Sequence, residues 1–149
     1  MNMKDERQFV GYSKYRSRLV DGHVHTELCP HGSGDRTALM IEKAIELRIE
    51  KVCLTEHAPL PAGFAAEYGG DKKAYNMASL KLNQVDSYLE LGRQLQRAYG
   101  THIDISLGFE VDYIPGFETD IQEFLDRYGP LTDRSEEHTS ELQSPEAIS

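Results

Sequence analysis

Apolar positions recur with two different periods along this chain of 149 residues. Residues 18–25 read as a first strand, ended by the polar pair Thr26-Glu27 and the loop formers Pro30, Gly32 and Gly34. Over residues 36–48, Leu39, Ile41, Ala44, Ile45 and Leu47 make an apolar helical face, with Glu42, Lys43, Glu46 and Arg48 left to solvent. Asp35 stands where its carboxylate can cap the first turn. Residues 51–55 read as a short buried strand, closed by the turn Glu56-His57-Ala58-Pro59. Residues 58–78, with Pro59, Pro61, Gly63, Gly69 and Gly70, read as a long loop, and loops of that length in a compact domain are usually functional or disordered. A second helix is predicted over 79–99, apolar at Leu80, Val85, Leu89, Leu91 and Leu95, with Gly100 as terminator. Alternation at Ile103, Ile105, Leu107 and Phe109 predicts a third strand over 103–111, and a third helix follows over 117–128, stopped by Gly129-Pro130. Residues 1–17 show no period and read as an N-terminal extension.

The order β-α-β-α-β-α, with crossovers of helical length, implies an α/β fold with a parallel sheet and helices outside it. Three such units fit half of a barrel or part of an open sheet equally well. Composition adds little to this. Hydrophobic residues at 39% and charged residues at 28% are ordinary for a globular protein. No apolar run approaches the length of a membrane span, and residues 1–18 lack the apolar core of a secretory signal, so a cytoplasmic protein with no membrane partner is expected. A net charge of −9 without a basic cluster beyond Lys72-Lys73 argues against a nucleic-acid partner. An acidic chain that meets an anionic substrate needs local positive charge, which bound metal ions could supply; the plainer reading is that the charge keeps the protein soluble. The two cysteines make no disulfide framework, and Cys53, within Val52-Cys53-Leu54, reads as a small buried hydrophobe.

The candidate chemistry begins with Asp21-Gly22-His23-Val24-His25. In a strand, residues two apart share a face, so His23 and His25 project together, and Asp21 with them. His31 follows in the next loop, His57 lies at the end of the second strand and Glu110 near the end of the third. If the strands are parallel neighbours, all five groups meet at the sheet edge where α/β proteins usually place their chemistry. Each has a structural alternative: a lone His-x-His often binds nothing, His57 could be a hydrogen-bonded structural histidine, and Glu110 or Asp112 could serve a salt bridge. Their coincidence at one edge favours a metal centre. Cys29, between His25 and His31, would suit a closed zinc site, but a hydrolytic cluster of histidine and carboxylate does not need it, and it is expected to pack. No zinc-protease helix motif, nucleophile elbow or phosphate loop is present.

These residues resemble the polymerase-and-histidinol-phosphatase (PHP) superfamily, within it the PHP-type histidinol-phosphatases. The likeness rests on Asp21-Gly22-His23-Val24-His25-Thr26, Cys29-Pro30-His31-Gly32, Leu54-Thr55-Glu56-His57-Ala58-Pro59-Leu60-Pro61 and Gly108-Phe109-Glu110-Val111-Asp112-Tyr113-Ile114. It implies that residues 18–133 are the N-terminal part, about three βα units, of a distorted seven-stranded β/α barrel. It also implies up to three divalent ions (zinc, manganese or iron): His23 and His25 on one, His31 and His57 on another, Glu110 bridging, and Asp21 and Glu56 orienting imidazoles behind them. The implied reaction is hydrolysis of L-histidinol phosphate in histidine biosynthesis, with a small phosphate ester as partner and no reading of oligomeric state. The alternatives are a PHP phosphoesterase for another ester, or a metal-binding module without catalysis. The family pattern continues with further histidines and a late Asp-x-His. Here only His138 remains, in the run Arg134-Ser135-Glu136-Glu137-His138-Thr139-Ser140-Glu141-Leu142-Gln143-Ser144, which resembles the in-frame translation of a sequencing-library adapter. Residues 134–149 are therefore expected to be a non-native, disordered tail, and the chain as written to be poorly stable and inactive.

Overall fold

A computed structural model describes residues 18–64 and 72–133. The elements are β1 (Val20–Val24), α1 (Thr37–Glu46), β2 (Lys51–His57), α2 (Lys72–Ala78), α3 (Val85–Tyr99), β3 (Asp104–Glu110) and α4 (Glu118–Tyr128), with single 3-10 turns at Leu82–Gln84 and Gly129–Leu131. The three strands form one parallel sheet in sequence order, as the helix-length crossovers require.

β2 and β3 pair without interruption from Lys51 opposite Asp104 to His57 opposite Glu110. Val52 and Leu54 on β2, and Ile105, Leu107 and Phe109 on β3, share one face and are buried with Ile41, Val85, Tyr88 and Leu89 of the helices. This is the apolar side of the sheet. The Tyr88 hydroxyl reaches through it, donating toward Leu54 O (3.0 Å) and Gly108 O (2.6 Å) and receiving the Glu56 N–H (3.3 Å). β1 departs from strict pairing. Asp21 stands opposite Val52 and Val24 opposite Leu54, so β1 holds one residue more than β2 between these pairs. The bulge breaks the alternation that would group Asp21 with His23 and His25.

Several local expectations give way to tertiary contacts. Asp35 does not cap α1: its own N–H turns to Ser33 Oγ, and the Glu27 carboxylate takes the Thr37 N–H at 2.6 Å while Thr37 Oγ1 accepts the Glu27 N–H at 3.0 Å. A carboxylate from the strand side thus does the capping, and the exchange closes the loop between β1 and α1 into a ring. α1 buries Thr37, Ile41 and Ala44, whereas Leu39 and Leu47 lie more than half exposed, because the face turned to the sheet is narrower than the apolar stripe. α1 ends at Glu46, and two residues on the chain turns away at Arg48, in the left-handed region at φ 58°. α2 occupies the end of the predicted 58–78 loop, while residues 65–71 lie outside the described residues. Ser79 and Leu80 precede the 3-10 turn rather than open α3: Ser79 Oγ accepts the Leu60 N–H, tying the segment back to the end of β2. Cys53, on the sheet face away from the helices, is half-buried rather than in the core.

At the free edge of β3, Leu107 N–H donates to Asp133 Oδ2, Asp133 N–H donates to Leu107 O, and Gln96 Nε2 donates to Ile105 O. A cavity of about 370 Å³ opens beside these contacts, lined by Gln96, Asp104, Ser106 and Asp133 near the start of β3. It lies toward the opposite end of the strand from Glu110. The extension 1–17 and the tail 134–149 lie outside the described residues.

Candidate metal centre

Val24 pairs with Leu54 and is buried toward the helices, so His23 and His25 on either side of it face the other way, past the C-terminal end of the sheet. There His57 and Glu110 sit directly opposite one another in the β2–β3 register. Four expected ligands from three strands meet at one place because the strands are parallel.

Glu110 Oε2 is the focus. It lies 3.2 Å from His23 Nε2, 3.3 Å from His25 Nε2 and 3.3 Å from His57 Nδ1, and the two Nε2 atoms are 3.0 Å apart. The rings are stacked close, with His25 and His57 centroids 4.4 Å apart. His57 Nδ1 and Glu110 Oε2 are buried and neither has a hydrogen bond.

Glu56 explains why these atoms face one another. Its side chain is fully buried, and it accepts four bonds: Oε1 from His25 Nδ1 (3.0 Å) and the His57 N–H (3.2 Å), Oε2 from the Thr26 N–H (2.8 Å) and hydroxyl (2.7 Å). Burial is the strongest influence on this carboxyl and pushes its pKa up; the donors of Thr26, His25 and His57 together outweigh it and hold the group below the usual glutamate value. An ionised Glu56 places the His25 hydrogen on Nδ1, which leaves a lone pair on Nε2 aimed at another acceptor, Glu110 Oε2. Two acceptors facing one another at this spacing need a proton or a metal cation between them. Ligand bonds of about 2.0–2.1 Å in a tetrahedral shell put donor atoms about 3.3 Å apart, and the triangle His23 Nε2, His25 Nε2, Glu110 Oε2 has edges of 3.0, 3.2 and 3.3 Å. The residues fit a divalent ion.

His31 is adjacent but separate. Its ring is 4.9 Å from that of His57 and 6.3 Å from that of His25, and its Nδ1 lies 3.7 Å from Cys29 Sγ. Ligand atoms of His25, Cys29 and His57 fall within 4.8 Å of one another, as do those of His23, His25 and Glu110. Asp21 is exposed and makes no hydrogen bond or ion pair with these groups; the bulge separates it from them. Cys29 is buried, as packing requires, but it is buried against the histidines, and that burial pushes its thiol pKa up. Thr26 is the residue that strand periodicity does not single out. Only its place directly after His25 hints at the role, since the contact with Glu56 spans 30 positions.

Comparison with known proteins agrees with this geometry. The PHP domain family model matches residues 21–144. A histidinol-phosphatase of Bacillus subtilis is 41% identical over 115 residues, covering 77% of this chain and 41% of that protein. A Deinococcus radiodurans protein described as a probable histidinol-phosphatase is 28% identical over 107 residues, covering 72% of this chain and 37% of its own length. A Listeria monocytogenes crystal structure described as a candidate histidinol phosphatase superposes with a TM-score of 0.74 at 41% identity, over 76% of this chain and 42% of that one. The chain therefore spans about two-fifths of the length of the relatives it matches.

Proposed function

The chain belongs to the PHP domain family, and from that premise we propose that its histidine–carboxylate cluster serves the hydrolysis of L-histidinol phosphate to L-histidinol and phosphate. The observation that carries the reading is the convergence of His23, His25 and His57 on one buried oxygen of Glu110 that has no hydrogen bond. His23, His25 and Glu110 would hold one divalent ion and His57 with His31 a second, zinc, manganese and iron being the candidates. Bound there, such ions supply positive charge to the phosphoryl oxygens and activate water for attack at neutral pH.

The chain's own residues do the rest. Glu56 fixes the His25 tautomer, and Thr26 fixes Glu56 with two bonds to one oxygen. Glu110, held opposite His57 by strand register, brings a carboxylate oxygen within reach of three imidazoles. A phosphate ester is an anion approaching an acidic protein, so cations at this edge also remove the electrostatic obstacle to its entry. We take residues 18–133 as the first three strand–helix units of a seven-stranded β/α barrel whose remaining strands add further ligands.

The test is a chimera in which residues 18–133 replace the corresponding segment of a full-length relative. Metal content and phosphate release are measured on histidinol phosphate and on a panel of other phosphate esters. The expected result is metal-dependent turnover with histidinol phosphate the preferred ester, abolished by Glu110→Gln. Preference for another ester would reassign the substrate. A folded, metal-loaded chimera without turnover would make this a metal-binding module.

A further inference from the structure

Among the described residues, one buried hydroxyl stands without a partner. Thr55 is 5% exposed, and its Oγ1 meets no hydrogen-bond donor or acceptor. His57 Nδ1 and Glu110 Oε2 are in the same condition. The metal-centre reading accounts for those two as ligand atoms. It does not account for Thr55, whose neutral hydroxyl is a poor ligand beside imidazole and carboxylate. A buried hydroxyl that pairs with nothing costs stability, and valine would give the same shape without that cost.

Strand register places this hydroxyl at the floor of the centre. Val52 and Leu54 turn toward the helices, so Thr55 and His57 turn to the other face of β2, one pleat apart. On β3, Gly108 stands opposite Thr55 and Glu110 opposite His57. Glu110 and Thr55 are thus diagonal neighbours on one face, and Gly108 sets no side chain between them. From β1, His25 follows Val24, the partner of Leu54, and so flanks Thr55 on the other side. Buried waters bridge otherwise unpaired polar groups, making about three hydrogen bonds each. Thr55 Oγ1, Glu110 Oε2 and, until a cation takes it, His57 Nδ1 are three such groups. A carboxylate oxygen that gives one lone pair to a cation keeps another for a water, and a hydroxyl can donate or accept as the water requires.

We propose that Thr55 is a positioning residue of the centre: its hydroxyl holds one buried water that hydrogen-bonds Glu110 and steadies the carboxylate opposite His57. The effect on metal binding rests on the reading of Glu110 as a ligand; the water itself does not. Thr55 then acts through Glu110 without touching a cation or a phosphate ester. The hydroxyl is the group that matters, and the methyl beside it only fills space.

Two substitutions in the purified chain separate the roles. Thr55→Val keeps the shape and loses the hydroxyl, whereas Thr55→Ser keeps the hydroxyl and loses the methyl. In the presence of chelator, Thr55→Val should lower the folding equilibrium constant about tenfold in urea unfolding, because the water loses its anchor and Glu110 its partner. Manganese affinity, followed by electron paramagnetic resonance, should fall about tenfold in Thr55→Val, as for loss of a group that orients a ligand, and stay near wild type in Thr55→Ser. A raised or unchanged urea midpoint in Thr55→Val would show a hydroxyl that holds nothing, and Thr55→Ser binding manganese more weakly than Thr55→Val would show a space-filling role; either overturns the proposal. Should Thr55→Val fail to fold, magnetisation transfer in the wild-type chain decides. A cross-peak between the Thr55 methyl and a long-lived water supports the proposal, and its absence refutes it. A wild-type chain that takes up no manganese would sink the metal reading and leave the urea and water measurements to judge Thr55.

Discussion

Replacing Glu56 by glutamine changes one atom and removes one charge from a side chain with no exposure at all. The carboxylate serves four donors, two on each oxygen: His25 Nδ1 and the His57 N–H on one, the Thr26 N–H and hydroxyl on the other. An amide has a single oxygen. If its nitrogen takes the first position, it faces the His57 N–H, donor against donor, and forces the His25 hydrogen onto Nε2, where it points into the triangle. If it takes the second, the Thr26 hydroxyl can rotate to accept, but the Thr26 N–H cannot. Either orientation leaves one buried backbone N–H unpaired, at about 1–3 kcal/mol, and weakens the remaining bonds by removing their charge, so the metal-free chain should lose about 2–3 kcal/mol. Metal affinity should fall about 10–100-fold through the disordered His25 tautomer. Urea unfolding in the presence of chelator gives the first quantity and chelator competition the second. The pH dependence supplies a third check. Because the folded-state pKa of Glu56 is lowered, its ionised form contributes stability that is fully present above the unfolded-state value and is lost as pH falls through the folded-state value. The gap between wild type and Glu56→Gln should therefore narrow on acidification. Unchanged urea midpoint, unchanged metal affinity and a constant gap would refute the view that this carboxylate organises the centre.

Other substitutions probe the scaffold. Gly92→Ala should destabilise by about 1–2 kcal/mol: the new Cβ would lie 2.9 Å from Leu107 Cδ2 and nearer still to Cδ1, an overpacking cost that exceeds the helix-propensity gain of about 1 kcal/mol, and Leu107→Ala in the same chain should cost less than the sum of the two, as read by denaturation. Arg48→Gly should stabilise by about 0.5–1 kcal/mol, because glycine adopts the left-handed conformation found at φ 58° without a side-chain clash, and a raised thermal midpoint would show it. Tyr88→Phe should cost about 1–3 kcal/mol and speed amide exchange at Glu56, since the hydroxyl bonds Leu54 O, Gly108 O and the Glu56 N–H at the point where β2 and β3 meet.

The sequence carries the three strands, the helices α1, α3 and α4 and the five metal-ligand candidates because these are local patterns; α2, inside the predicted 58–78 loop, it does not carry. Alternation marks β3, and His23, His25, His57 and Glu110 fall at strand ends, which parallel pairing then brings together. What it does not carry depends on partners far along the chain. Asp35 has the right chemistry to cap α1, yet Glu27, ten residues before Thr37, has the better position. The bulge in β1 follows from fitting that strand to β2, so the place of Asp21 away from the histidines cannot be read from the Asp-x-His-x-His spacing alone. Cys29 is buried, as a small apolar residue would be, but the identity of its neighbours depends on how the loop folds. Thr26 gains its part only because Glu56, 30 positions on, reaches it.

The surplus residue in β1 has a mechanical consequence. Upstream of it the strand is seated by Val20 opposite Lys51 and by the Glu50 N–H on Leu19 O at 2.8 Å; downstream it is seated by Val24 opposite Leu54 and by Thr26 on Glu56. One strand is thus two separately anchored pieces joined by a slack link at Gly22 and His23. A strain applied at the Leu19 end can be taken up in that link instead of travelling along the backbone. His25, seated downstream of that link, is insulated from the fate of the chain that leads into it, whereas His23 sits in the link and moves with it.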